Sequence, residues 1–318
     1  MKIKTGHKFV LFLVSAITAV VLCTLPFLAV KKDTLYVYTN SLELLSSERG
    51  FIRELKLLGL NVVVNSNHEP EAESYGLWFK NPEYAREVAS SPAKINFLYT
   101  QAYYPIEWAN KNKHPVVLTP YRELYEHYVR SNIKTAQLTL GVNTMDYYAD
   151  GSKKKYPLLY VGDNNKVSPV AEYLRTQEKA KFMGAFWEKG VDILAINENV
   201  AQDRRKALSQ TKIAVVYNAP ETPASKIIPD EVLEAVASGA LVLSSPNSEI
   251  SRVFGENVVI YENEADLNNK YQYYLAHNEE TQKKIVAAQN ILTEKLSSKA
   301  AAIRFKQILD WMKENNAN

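Results

Sequence analysis

A short run of aromatic and β-branched residues, then a helical stretch, then another such run: this alternation fills most of the chain, and it starts over once. In the first half the runs Thr34–Asn40, Val62–Val64, Tyr75–Phe79, Lys94–Thr100, His114–Pro120 and Ala136–Asn143 read as strands. Between the first two, Phe51, Ile52, Leu55 and Leu58 recur at helical spacing and Gly59 supplies a stop. Residues 81–91, 105–112 and 121–132 read as further helices. Strands separated by helical crossovers predict a parallel sheet covered on both faces.

Residues 144–155 are polar, with Gly151 and three lysines, Lys153, Lys154 and Lys155; they read as a solvated linker rather than a phosphate site. The pattern then restarts. Residues 156–165 form a strand leading into a Gly-containing loop. Residues 168–180 form a helix opened by Ser168-Pro169, good cap and first-turn chemistry. Residues 191–197 read as a strand, 200–210 as a helix, 212–220 as a strand and 257–263 as another strand. From residue 264 the chain is helical, with breaks near Asn278 and Ser297, and this tail is free to pack back across the joint. The predicted architecture is α/β, with two Rossmann-like halves at 33–150 and 151–318.

A composition of 46% hydrophobic and 23% charged residues over 318 residues can fill two medium cores. The net charge of +3 is too small to imply a nucleic-acid partner. Cys23 is the only cysteine, so nothing downstream of it can form an intrachain disulfide or use a thiolate nucleophile. The five histidines show no ligand spacing. Glu262, Glu264 and Asp266 read as a solvated helix start rather than a metal site, and no metal is expected. Ahead of the two halves, residues 1–8 are basic and the run Phe9–Val30 carries no charge; Lys31 and Lys32 follow. About 20 apolar residues span a bilayer as helix. Residues 1–32 therefore read as an N-terminal transmembrane anchor in preference to a cleaved signal peptide. The flanking lysines tilt weakly toward a cytoplasmic N-terminus and an extracytoplasmic globe.

The stretch Ile228–Glu249, "IPDEVLEAVASGALVLSSPNSE", carries the most chemistry. Pro229, Asp230 and Glu231 suit a helix start; Val232, Leu233 and Val236 form its apolar stripe; Gly239 ends it. Ala240–Leu243 reads as a buried parallel strand and Ser244–Glu249 as a loop at its carboxyl end, the edge where open α/β sheets bind ligands. Glu234 lies off the stripe. From spacing alone it is a solvated surface carboxylate; turned toward a crevice it could accept two hydroxyl hydrogen bonds from a ribose diol.

Residues 231–245, the strands Lys212–Ala219 and Gly255–Tyr261, and the helical tail resemble the C-terminal domain of two-domain (GT-B) glycosyltransferases, in particular the CgeB-like, group-1 branch. The resemblance covers about residues 156–318 and is topological over 34–150. It implies that Glu234 holds the ribose of a nucleotide sugar, with Gly239 forming the turn beneath. Ser244, Asn247, Ser248 and Glu249 would lie near the sugar or diphosphate. Gly162, Asp163 and Asn164 would line the crevice, and Lys166 would meet a phosphate. Two positions depart from the pattern: Glu231 stands where the family has a basic residue, and Lys226 where the wider family has a glutamate. The implied activity is metal-independent, retaining transfer of a hexose from a nucleotide sugar to a glycan or lipid-linked acceptor, with no cofactor. Asn40, His68 and Gln101 sit at strand exits in the first half, and none can be picked as an acceptor-side base. The departures keep two rivals in view: a membrane-held, non-catalytic two-lobed binder, and a solute-binding protein.

Overall fold

The computed structural model describes residues 33–39, 44–64, 69–79, 88, 90–101, 115–162, 168–177, 180–184, 192–194, 201–218 and 227–316. The expected anchor, residues 1–32, lies outside them, as do Asn40, His68 and residues 105–112. Among the described residues no helix is long and apolar enough to cross a membrane.

The first half is a six-stranded sheet of β1 (Thr34–Thr39), β2 (Asn61–Val64), β3 (Tyr75–Phe79), β4 (Ile95–Tyr99), β5 (Val116–Thr119) and β6 (Thr135–Gln137), in the order β2-β1-β3-β4-β5-β6. Every neighbouring pair is parallel. Alternate residues sort to opposite faces, as a period of two demands. Leu35, Val37, Leu77 and Phe97 join one core. Trp78, Leu98 and Val117 join the other, beneath α2 (Arg122–Arg130). The first core is closed by α1 (Ser46–Leu57) through Phe51, Ile52 and Leu55. The expected strand over 136–143 is cut to three residues; beyond it only Leu138 N–H reaches back to Thr119, because the chain then turns toward the second half.

The second sheet runs β11-β10-β9-β7-β8, all parallel: β7 (Tyr156–Val161), β8 (Ala180–Met183), β9 (Thr211–Val216), β10 (Leu241–Ser244) and β11 (Val259–Ile260). Four helices introduced in chain order surround it: α3 (Pro169–Arg175), α4 (Ala201–Ser209), α5 (Asp230–Ala237) and α6 (Ser248–Phe254). Ser168 caps α3 as its sequence indicates, accepting from Ala171 N–H at 3.1 Å. That helix ends at Arg175, short of the expected residue 180, and Ala180–Met183 becomes a strand instead. Pairing with β7 along its whole length outweighs the helical propensity of these residues. The expected strand over 191–197 contributes a single bridge, Ile193 to Phe182; residues 195–197 lie outside the described region.

Gly239 ends α5 with φ +78°, while Gly239 N–H donates to Val236 and Ala240 N–H to Ala235. This left-handed cap turns the chain straight into β10. The helical tail comprises α7 (Glu264–Ala276), α8 (Asn278–Lys295) and α9 (Ser298–Asn316), broken at the two places the sequence marks. Asn263 caps α7, and Asp266 pairs with Lys270, so the acidic cluster is a helix start.

Residues 298–316, expected with the second half, supply the first half's core. Ala301, Ala302, Phe305, Ile308, Leu309 and Met312 pack against Leu35, Phe51 and Leu77. The chain thus crosses between halves twice, and the crossings lie side by side. Val142 N–H donates to Leu296 at 2.8 Å, and Ser298 N–H returns to Val142 at 3.0 Å. Gly141 has φ +70°, and a Cβ there would stand 2.3 Å from the Leu296 carbonyl oxygen, so this joint admits only glycine.

The 144–155 segment is not a freely solvated linker. Tyr147 is buried, Asp146 accepts from Arg49 at 3.0 Å and Asn143 at 2.9 Å, and Lys154 donates to the Gly239 carbonyl at 2.6 Å. Burial pulls the Lys154 ammonium down to about 8. The unfolded chain binds that proton up to the ordinary lysine pKa of about 10.4. Between those values the unfolded state holds more protons than the folded one, so stability rises with pH from about 8 toward 10. Urea midpoints measured across that range should show the rise in the native chain and a flatter profile in Lys154→Met.

Candidate functional site

Parallel strands direct their carboxyl ends to one edge, and ligands of open α/β sheets bind outside that edge. Here those edges of the two sheets face a shared cleft of about 540 Å³, within the usual range for small-molecule sites. The first half contributes Phe79, Tyr99 and Gln101 from strand ends, Gln137–Gly141 after β6, and Ser47 and Glu48 from the first turn of α1. The second half contributes Ile228, Asp230 and Leu233 at the start of α5, and Glu249, Arg252 and Val253 of α6. Lys295 and Arg304, flanking the second crossing, complete it.

The charges in the cleft are unequally committed. Glu249 takes the Arg252 guanidinium through both carboxylate oxygens. Glu48 accepts from Leu45 N–H at 3.0 Å, and burial pushes its carboxyl up. Burial likewise pushes the Tyr99 phenol up. Lys295 and Arg304 are exposed and have no ion-pair partner among the described residues. Among the described residues the cleft therefore offers two cations without an ion-pair partner, beside a polar and aromatic wall.

Glu234 does not line this cleft. Its carboxylate turns toward α4, where Arg204 donates to Oε2 from Nε at 3.1 Å and from Nη2 at 2.5 Å. The pair is largely buried, with side-chain exposures of 18% and 14%. The buried Tyr147 hydroxyl adjoins both groups. Burial pushes the Glu234 carboxyl up against the opposing pull of Arg204. Glu234 is thus neither a solvated surface residue nor an open hydrogen-bond acceptor. Arg204 also feels the charge of Glu231, so a cation from α4 stands beside the acidic helix that lacks a basic residue of its own.

Gly239 and Gly162 sit at element ends, one closing α5 and the other following β7, and neither lines the cavity. Ser244 is fully buried; its hydroxyl accepts from Asn218 and donates to the Ser245 carbonyl. Asn247 and Ser248 are not loop residues. Asn247 caps α6, accepting from Glu249 and Ile250 N–H, and its amide donates to Ile227 at 2.8 Å. The expected loop 244–249 is therefore shortened by a helix that begins at Ser248, a correction whose cause is this cap. Glu249, in its first turn, is the one described member of the expected set that lines the cleft. Asp163, Asn164, Lys166 and Lys226 lie outside the described residues. Among the described residues no group of three or more His, Cys, Asp or Glu is placed to hold a metal ion.

Sequence reasoning did not single out Arg204, Tyr147, Glu48, Tyr99, Arg252, Lys295 or Arg304. Only the pairing across 30 residues marks Arg204, and no local pattern announces it.

The arrangement of two parallel sheets with a joint cleft is the GT-B fold. A family profile described as glycosyl transferase-like matches residues 167–310. Among solved structures, the chain is similar to a glycosyltransferase from Rickettsia africae ESF-5. That likeness has 13% identity and a TM-score of 0.64, over 90% of this chain and 100% of that one. Anabaena Alr3699/HepE, solved in complex with UDP and glucose, is similar at 12% identity and a TM-score of 0.58, over 88% of this chain and 99% of that one. Sucrose-phosphate synthase from Thermosynechococcus elongatus follows at 10% identity and 0.57, over 90% and 100%. No curated protein sequence matches the chain.

Proposed function

We propose that the protein is a glycosyltransferase of the group-1, CgeB-like kind, moving a hexose from a nucleotide sugar to a glycan or lipid-linked acceptor. The reading includes metal-independent chemistry with retention, and a globe held at a membrane by residues 9–30. The observation that carries it is the cleft between the carboxyl edges of two parallel sheets, in a chain whose second half matches a glycosyl transferase-like profile. Transfer places negative charge on a departing diphosphate. Arg304 and Lys295 are positioned to neutralise an anion in the cleft, and Arg252 can join them by yielding Glu249. Arg204 and the Tyr147 hydroxyl both hold the Glu234 carboxylate, which fixes α5 against α4 and presents Asp230 and Leu233 to the cleft. Closure about the paired crossings would exclude water from the transfer.

The sequestered Glu234 and the acidic Glu231 favour a second reading, a two-lobed binder without catalysis. Calorimetric titration of the full chain in detergent with UDP, GDP and their hexose conjugates separates the two. The transferase should bind one nucleotide sugar and slowly hydrolyse it without acceptor. Arg304→Gln should weaken binding roughly 10-fold or more, the scale of a lost hydrogen bond to a charged group. Binding without turnover would support the binder; no nucleotide binding would remove the transferase reading.

A further inference from the structure

The wall that α1 and the strand ends of the first half give the cleft carries one charge, Glu48, in the first turn of α1. The base next to it in the chain is drawn elsewhere. Arg49 donates to Asp146 Oδ2 at 3.0 Å, beyond the first crossing. Ser46 donates to the same oxygen, as does Asn143 Nδ2 at 2.9 Å. Three donors on one carboxylate oxygen pin the start of α1, and Glu48 is left without an ion-pair partner among the described residues. Its Oε2 takes Leu45 N–H at 3.0 Å, and no described residue engages Oε1. The other polar groups of this wall are uncharged. Gln101 follows β4 and hydrogen-bonds the Tyr99 hydroxyl. Gln137 ends β6, two strand spacings along the sheet, about 10 Å. Both glutamines are exposed, and no described residue engages the Gln137 amide. Phe79 and Tyr99, in edge contact at 5.4 Å, form the apolar floor. The Tyr99 phenol feels the charges of both Glu48 and Asp230, so a carboxylate of α1 and one of α5 oppose each other across this part of the cleft. The cations of the cleft lie on the tail and α6.

We infer that this wall takes the acceptor as an uncharged sugar ring, and that Glu48 is the residue that selects it. The inference rests on the transferase reading and names the acceptor class for it. A sugar hydroxyl that donates to the free Glu48 oxygen makes a charge-assisted bond. Each glutamine amide offers a donor and an acceptor, which suits ring hydroxyls that act as both. A uronic acid or a sugar phosphate in the same place would set its charge beside Glu48 and Asp230, and like charges brought together cost affinity. The cleft is thereby divided. The anionic donor lies on the cations of the tail and α6, and the neutral acceptor lies on the wall of the first half. Pinning by Asp146 keeps Glu48 facing that wall and keeps Arg49 from neutralising it.

The test uses the full chain, in a detergent without a sugar head group, and its Glu48→Gln variant. Gln keeps a carbonyl oxygen for Leu45 N–H, so the start of α1 is retained. Saturation-transfer NMR measures binding of methyl glucoside, galactoside and mannoside, and of methyl glucuronide and galacturonide as their charged counterparts. Consumption of the nucleotide sugar that binds in the calorimetric titration is followed with the same compounds. At least one neutral glycoside should bind and speed that consumption, with its uronide roughly 10-fold weaker or more. Glu48→Gln should raise the KM for the neutral glycoside roughly 10-fold and narrow the gap to the uronide to a few-fold. The Kd for the nucleotide sugar should not change, which also shows that the variant is folded. A uronide bound as well as its neutral counterpart by the native chain overturns the inference, as does an unchanged KM in Glu48→Gln. Nucleotide-sugar binding with no neutral glycoside bound overturns it too, and leaves the transferase reading standing. Absence of nucleotide binding removes that reading and the inference together.

Discussion

Arg204→Ala is expected to destabilise the protein by about 3–5 kcal/mol, because it leaves the Glu234 carboxylate buried without its countercharge. Glu231, already near the guanidinium, would add repulsion. Glu234→Ala should cost a similar amount by stranding the guanidinium instead. Replacing both together, Arg204→Met with Glu234→Leu, should cost far less than the sum, since a buried pair repays little more than its own desolvation. Urea denaturation at pH 7 of the native chain, the two Ala variants and the double variant makes the comparison, and the matched singles Arg204→Met and Glu234→Leu close the cycle. Single-variant losses below about 1 kcal/mol would show a pair as weak as an exposed one. The cycle also bears on function. A carboxylate committed to Arg204 holds α5 against α4 and stays out of the cleft. Glu234→Gln, which keeps the shape and removes the charge, should therefore lower stability more than it lowers nucleotide affinity.

Phe305→Ala should cost about 3–5 kcal/mol, the range for a large side chain removed from a close-packed core. Phe305 is fully buried; its ring meets Phe97 edge-on at 5.0 Å and Phe51 at 5.8 Å. The informative part is where the damage falls. Hydrogen exchange should accelerate in β1 and β4, which share its core, while β9 and β10 keep their protection. Equal loss in both sheets would mean that the halves unfold as one unit. Accelerated exchange confined to the second sheet would contradict the packing of α9 altogether.

Much of this molecule is written in short-range pattern. A strand announces itself by its residue types, and a helix by apolar spacing of three and four. Gly59, Gly239 and Ser168 mark ends because the backbone there needs a left-handed turn or a capping oxygen within three residues. The tail breaks near Asn278 and Ser297 were readable for the same reason. The cap at Asn247 was present too, in Asn-Ser-Glu followed by Ile250 and Phe254, but a loop reading of Ser244–Glu249 passed over it.

Other features have no local signature. Ala180–Met183 is a strand because β7 lies beside it. Residues 298–316 look like any amphipathic helix; that they complete the first sheet's core follows from the paired crossings at Val142 and Ser297. The same holds for the site. Spacing could place Glu234 off the apolar stripe of α5, but α4, brought alongside by the sheet, supplies the guanidinium that claims it. The chain's order of residues is enough to specify two parallel α/β halves, since periodicity and capping act over a turn or a strand. Which charges meet, which face a helix covers and what lines the cleft are settled by contacts between residues far apart in sequence, whose energies exist only once the halves have packed.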